Sequence, residues 1–159
     1  MKPDPLANPE PLIREVYSYV AYRIGHGAEA EDVTSETFER ALRYRDSFDP
    51  RRGAPIVWLL GIARRALAGR FGQAEMALEE ESEQAGAAFE ERVDMRLDLE
   101  AALAGLSKRE REVVSLRYGA GLSSKEIGGL LELEPGTVDV LLHRTRTRLR
   151  ALLGENARM

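Results

Sequence analysis

LSSKEIGGLLELEPGTVDVLLHRTRTRLR, running from Leu122 to Arg150, holds two short helical patterns joined by a tight turn, and the second runs into a row of arginines. Ser123 and Glu126 stand three residues apart. The Ser123 hydroxyl can accept from the Glu126 amide while the Glu126 carboxylate reaches back, a capping box that starts a helix. Ile127, Leu130 and Leu131 then share a face, Glu132 and Leu133 make the turn, and Pro135 stands where the next helix begins. First-turn amides have no helical partner, so a proline there removes nothing the helix needs. Beyond it, Val138, Leu141, Leu142, Leu149, Leu152 and Leu153 keep helical spacing on one stripe. Arg144, Arg146, Arg148 and Arg150 occupy the other faces, where guanidinium groups can clamp phosphates and position a reading helix. A basic helix alone reads as a solvated face. With a capped helix and a turn ahead of it, the pattern points to a helix-turn-helix that docks on duplex DNA.

The chain has 159 residues, 43% of them hydrophobic, which suffices for one ordinary domain or two small ones. It has no cysteine and two histidines, His26 and His143, far apart in sequence. Disulfides, thiolate metal sites and cysteine nucleophiles are thereby excluded, and a histidine metal site is not supported. No glycine loop suited to phosphates and no singled-out carboxylate pair accompanies them, so the expectation is no enzyme, no cofactor and no metal. The longest apolar run, Ile56 to Ala63, is too short for a bilayer, and the N-terminus lacks a secretory pattern. Cytoplasmic residence without membrane insertion is the default expectation.

A net charge of -4 is unusual for a DNA binder until it is located. Residues 76–100 carry nine acidic and two basic side chains, whereas residues 101–159 carry seven and ten. Such a chain should bind naked DNA weakly, since affinity follows the number of phosphates neutralised.

Helix-forming residues dominate and strand-like alternation is absent, which predicts an all-α protein. The patterns place helices near Pro11–Ile24, Glu29–Arg45, Pro55–Phe71, Met95–Ala104, Lys108–Tyr118, Ser124–Leu131 and Pro135–Leu153. The first three form a bundle whose expected core is Val16, Tyr19, Val20, Ile24, Val33, Phe38, Ala41, Leu42, Trp58, Leu59, Ile62 and Ala66. The last four, opened by a second capping box at Ser107 and Glu110, form the domain with the helix-turn-helix. Between them, Gly72 to Val93 has little apolar periodicity and a cluster at Glu79, Glu80, Glu81 and Glu83, which predicts a flexible linker. The domains are therefore drawn as 1–72, an acidic linker 73–94, and 95–159.

The order of the segments is informative. Ala30–Leu67, AEDVTSETFERALRYRDSFDPRRGAPIVWLLGIARRAL, resembles the helical domain of bacterial alternative sigma factors of the extracytoplasmic-function (ECF) group. Leu106–Leu153 resembles that group's C-terminal promoter-reading domain. The FDPxRG loop followed by WLLxIAR makes the pairing specific. The resemblance implies a three-helix domain that binds core RNA polymerase and opens the promoter element near minus ten. A four-helix domain would then read the element near minus thirty-five. It also implies an anti-sigma factor as partner and a monomer when free.

Carried over by position, the resemblance assigns polymerase binding to Asp32, Ser35, Glu36, Glu39 and Arg40. An acidic face offered to a basic surface can steer docking and set its register. The family's pocket for an extracted base corresponds to Phe48, Asp49, Arg51 and Arg52, with Pro50 and Gly53 shaping the loop. Taking a base from the stack costs a few kcal/mol that such a pocket can offset. Read alone, FDPRRG is a turn between helices. Arg64, Arg65 and Arg70 are assigned to phosphates of the melted strand, while Trp58 reads as core. Ala54, Pro55 and Ile56 depart from the serine, aromatic and basic residues common in the family. On the second domain the assignment is Lys125 and Thr137 as phosphate anchors, then Asp139, Val140, His143, Arg144, Arg146 and Arg148. Asp139 is acidic where the family favours basic or small polar residues; an aspartate can accept from a cytosine amino group.

Three readings stay open. The chain is an alternative sigma factor, a sigma mimic that sequesters an anti-sigma factor, or a stand-alone helix-turn-helix regulator. Transcription with polymerase separates the first two, and tight dimeric DNA binding without polymerase marks the third.

Overall fold

The computed structural model describes residues 3–71 and 95–158, with side chains described from 3–71 and 98–154. All regular structure among these residues is helical. The first group consists of α1 (Pro9–Ile24), α2 (Ala28–Arg43) and α3 (Pro55–Phe71). The second consists of α4 (Met95–Ala104), α5 (Lys108–Val114), α6 (Ser124–Leu131) and α7 (Pro135–Arg158). The segment 73–94, expected as an acidic flexible linker, lies outside the described residues.

Local chemistry explains most boundaries. Both capping boxes form: Ser107 Oγ accepts from the Glu110 amide at 3.1 Å and Glu110 Oε1 from the Ser107 amide at 2.9 Å. Ser123 and Glu126 repeat the arrangement with the same two distances. Each box satisfies two amides that a bare helix start would leave without partners. One expected helix is corrected. Lys108–Tyr118 is not uniformly α, because after Val114 the backbone widens into a π-turn over Ser115–Gly119. Two 3₁₀ turns, Arg45–Ser47 and Pro50–Arg52, carry the chain from α2 into α3.

Turn geometry between α6 and α7 depends on Glu132, which is left-handed at φ 59 and ψ 47. It is the one non-glycine residue with positive φ among those described. A side chain in this region costs roughly 1–2 kcal/mol. Glu132→Gly is expected to raise stability by about 1 kcal/mol, read as a higher urea midpoint at unchanged slope.

The core does not stop at either group. Val16, Tyr19, Val20, Val33, Leu59, Leu60 and Ala63 are continuous with Val113, Leu116, Leu122, Ile127 and Val138 in a single buried cluster. Of the expected first-module core, Leu42 is corrected: it is 55% exposed, while Ala41 is fully buried. The inner stripe of α2 is Ala30, Val33, Thr34, Thr37 and Ala41. Leu42 is rotated about 100° from Ala41 and so leaves that stripe.

Candidate nucleic-acid interface and the contact between the modules

The helix-turn-helix is built by packing Ile127 and Leu131 of α6 on Val138, Leu141 and Leu142 of α7. Thr145 is also buried there, its hydroxyl donating to the Leu141 carbonyl at 2.7 Å. With that face used, Lys125, Thr137, Asp139, Val140, His143, Arg144 and Arg146 are all exposed. Arg148 turns differently, its Nη1 lying 3.6 Å from Glu110 Oε1 on α5. Asp139 is not a bare carboxylate, since its Oδ1 accepts from the Ser124 hydroxyl. Ser124 in turn accepts from Arg117 Nη2 at 2.6 Å.

In the first module, Asp49 organises its own loop. Its Oδ1 accepts from the Arg51 amide at 3.0 Å and from Arg51 Nε at 3.1 Å. Phe48 is only 4% exposed. Its ring meets Trp58 edge-on, with centroids 5.5 Å apart and planes at 64°. Such edge-to-face pairs contribute about 0.5–1.5 kcal/mol beyond area burial. Phe48, Asp49, Arg52, Trp58 and Arg65 line one wall of a cleft of 730 Å³, and Leu130 and Glu132 lie on the other. Arg51, Arg52 and Arg65 are exposed to solvent. Arg70 is also exposed and pairs with Glu36, Nε to Oε2 at 3.5 Å.

Asp32, Ser35 and Glu39 lie on the solvent side of α2, with Glu36 and Arg40 half-buried beside them. Glu36 Oε1 accepts from Arg40 Nη2 at 3.1 Å, a helical i,i+4 pair of modest strength.

Arg64 behaves unlike the other arginines. Its Nε donates to Glu112 Oε1 at 2.8 Å and its Nη1 to the Leu130 carbonyl at 3.2 Å, so both of its partners belong to the second module. Glu112 is the hub of this contact. The Tyr19 hydroxyl lies 2.9 and 3.0 Å from its two carboxylate oxygens, and Arg23 Nε pairs with Oε2 at 2.6 Å. Burial, reinforced by the Glu112 charge, pushes the Tyr19 phenol well above its ordinary range, so it stays a donor. Nearby, Arg111 Nε donates to the Tyr22 carbonyl at 2.6 Å. Burial, helped by the Arg23 charge, lowers the Arg111 guanidinium to about 10, which still leaves it charged at neutral pH. Tyr19, Arg23, Arg111 and Glu112 were missed as interface residues by sequence reasoning. No local signal marks them, because Arg111 and Glu112 stand in the charged run KRERE, where only tertiary packing separates a capping residue from one that faces the other module.

The π-turn permits the close approach. A Cβ at Gly119 would lie 3.0 Å from Tyr19 Cα and 3.1 Å from the Ser18 carbonyl oxygen. Backbone atoms of α1 cannot rotate away as a side-chain tip could. Gly119→Ala is therefore expected to weaken the contact by about 1–3 kcal/mol, read as a larger radius of gyration by solution scattering or a lower melting temperature.

Comparison with known proteins agrees with this architecture. Residues 10–74 match Sigma-70 region 2, and residues 96–149 match Sigma-70, region 4. The ECF RNA polymerase sigma factor BldN of Streptomyces coelicolor is 35% identical over 152 residues, covering 90% of this chain and 58% of that protein. The RNA polymerase sigma factor CarQ of Myxococcus xanthus is 34% identical over 146 residues, covering 88% and 83%. The chain thus spans little more than half the length of the first relative and most of the second. Among solved structures, the sigma factor RpoE in complex with the anti-sigma factor NepR from Bartonella quintana has a TM-score of 0.70 at 22% identity, covering 90% of this chain and 92% of that one. CnrH in complex with the cytosolic domain of CnrY has a TM-score of 0.63 at 25% identity, covering 91% and 81%. With both sigma-70 regions in order on two helical groups, and relatives of this identity along nearly the whole chain, the protein belongs to the ECF family of RNA polymerase sigma factors.

Proposed function

We propose that the chain is an alternative sigma factor that binds core RNA polymerase and directs promoter-specific initiation, without catalytic chemistry of its own. Residues 1–72 would bind polymerase through Asp32, Ser35, Glu36, Glu39 and Arg40. The same module would engage the minus-ten element through Asp49, Arg51, Arg52, Arg64, Arg65 and Arg70, with Phe48 supporting their loop from beneath by its packing on Trp58. Residues 95–159 would read the minus-thirty-five element through the exposed side of α7, with Lys125 on α6. The observation that carries this reading is the open outer face of α7, set on a correctly capped helix-turn-helix behind a sigma-70 region 2. Among the described residues no helix is long and apolar enough to cross a membrane. A cytoplasmic site of action and an anti-sigma factor as inhibitor complete the proposal; the latter is supported by the RpoE complex with NepR.

Geometry adds a requirement. A compact chain of this length has a radius of gyration of about 15 Å. Elements near minus ten and minus thirty-five are separated by about 25 base pairs, or ~85 Å at about 3.4 Å per pair. The closed arrangement is far too small to reach both, and it also holds Arg64 away from any strand. In the proposed role the modules must part on polymerase, and the closed state lowers the apparent affinity of the free chain by the fraction it occupies. Transcription in vitro with core polymerase on a genomic DNA pool tests the reading. Start sites should share an upstream pair of motifs, and a transcript pattern indifferent to the chain would contradict it.

A further inference from the structure

The buried stripe of α7 runs through Val138, Leu142 and Thr145. Successive helical residues turn by roughly 100°, which sets Val140 about half a turn from the middle of that stripe. Val140 is accordingly 68% exposed, more than any other exposed large apolar side chain among the described residues. Gly136 and Arg144 lie one turn to either side of it, and Thr137 and His143 flank it. A side chain at Gly136 would meet nothing within 4 Å, so the surface before Val140 is open to close approach.

Asp139 is turned about a quarter of the circumference away from Val140. It faces α6, where its carboxylate accepts from Ser124 while Ser124 accepts from Arg117. That chain of contacts spends one carboxylate oxygen and brings a cation toward the negative charge. It also ties the start of α7 to the start of α6 and to the π-turn.

We infer that Asp139 is a positioning residue that fixes the reading helix on α6, and that Val140 forms the apex of the reading face, where its isopropyl group meets the C5-methyl of a thymine in the major groove. The inference rests on the proposed promoter-reading role and names the base class at its centre. An isopropyl group offers no hydrogen bond, so the feature it can discriminate in the groove is the thymine methyl, which the other three bases lack. Phosphate anchoring from Arg144 and Thr137 on either side would hold the apex in place.

The test uses holoenzyme on a promoter mapped in the pool experiment, with each upstream thymine replaced singly by deoxyuridine, which lacks only the methyl. One position should reduce initiation about fourfold with the native chain, the effect of one buried methyl-sized group. Val140→Ala, at an exposed site that leaves the fold intact, should abolish the sensitivity at that position and no other. Asp139→Asn keeps an oxygen for Ser124 and should leave the base preference at every position unchanged. Loss of methyl sensitivity everywhere in the native holoenzyme, or a changed preference at a cytosine in Asp139→Asn, overturns the inference while promoter-dependent initiation stands. No promoter-dependent transcript at all overturns the parent reading and this one with it.

Discussion

Glu112→Ala is expected to open the molecule. Its carboxylate sits between Tyr19, Arg23 and Arg64, all from the first module. Removing it leaves two guanidinium groups and a phenol facing an acceptor that is gone, and breaking a buried pair from one side typically costs about 3–5 kcal/mol. Arg64 is a quarter exposed and Arg23 a tenth, so both can recover water if the modules separate. Opening is the cheaper response than global unfolding, because each module keeps much of its own apolar packing. Solution scattering should therefore show the radius of gyration rising clearly above the compact value of about 15 Å. Glu112→Gln keeps volume and one acceptor but loses the charge, and should lie between the two. In the proposed role both variants bind core polymerase more tightly, by about tenfold for each ~1.4 kcal/mol removed from closure. Unchanged scattering and unchanged stability in Glu112→Ala would show that the hub does not hold the modules together.

The second large effect is expected at Gly128. A Cβ there would stand 2.4 Å from the Leu133 carbonyl oxygen, inside any tolerable contact. The atom it meets is backbone, and that backbone is already fixed: the Leu133 amide donates to the Gly128 carbonyl at 3.0 Å, closing the turn. On either side, Ile127 and Val138 are fully buried. Gly128→Ala must therefore displace α7 relative to α6, at a cost of about 2–3 kcal/mol. In the proposed role, where α7 reads the promoter and tolerates little misplacement, promoter-dependent initiation should fall to background while polymerase binding proposed for the first module persists. The neighbouring Gly129 supplies the control. It is exposed, with nothing within 4 Å of an added Cβ, so Gly129→Ala should stabilise the helix by roughly 0.5–1 kcal/mol. Opposite signs at adjacent glycines, measured by urea denaturation, would support the turn geometry; equal and small effects would contradict it.

These two sites show what could and could not be read from the chain. Helix starts at Ser107, Ser123 and Pro135 were legible because the residues that fix them act within one turn of their own positions. The apolar stripe of α7 was legible for the same reason. Leu42 departs from the expected core because it adjoins Ala41 in sequence but is turned about 100° from it, off the stripe that α2 buries. The π-turn after Val114 was invisible, since nothing in SLRYG distinguishes a wider turn from an α one. The contact between the modules was the largest omission. Glu112 and Tyr19 are separated by 93 residues, and within KRERE the run of charges gives Glu112 no local mark that Glu110 lacks. Glu110 turned out to be a cap and Glu112 an interface hub, a division that only tertiary packing decides.

For the candidate site, sequence placed Lys125 on the first helix of the helix-turn-helix and the other candidate reading residues on the second, and left their orientation undecided. The structure separates Val140, facing outward, from Asp139, held by Ser124, and sets Arg64 apart from Arg65 by giving it partners across the contact.

The central claim is that the chain rests closed and works open, one module on each promoter element. It has no cysteine, so a cysteine introduced at exposed Glu29 on α2 and another at exposed Arg150 on α7 would be the sole labelling sites. Energy transfer between dyes at these two positions should be high in the free protein and should collapse when core polymerase and promoter DNA are added, as their separation grows well past ~50 Å toward the spacing of the two elements. High transfer that persists in a complex actively initiating from its promoter would contradict the account.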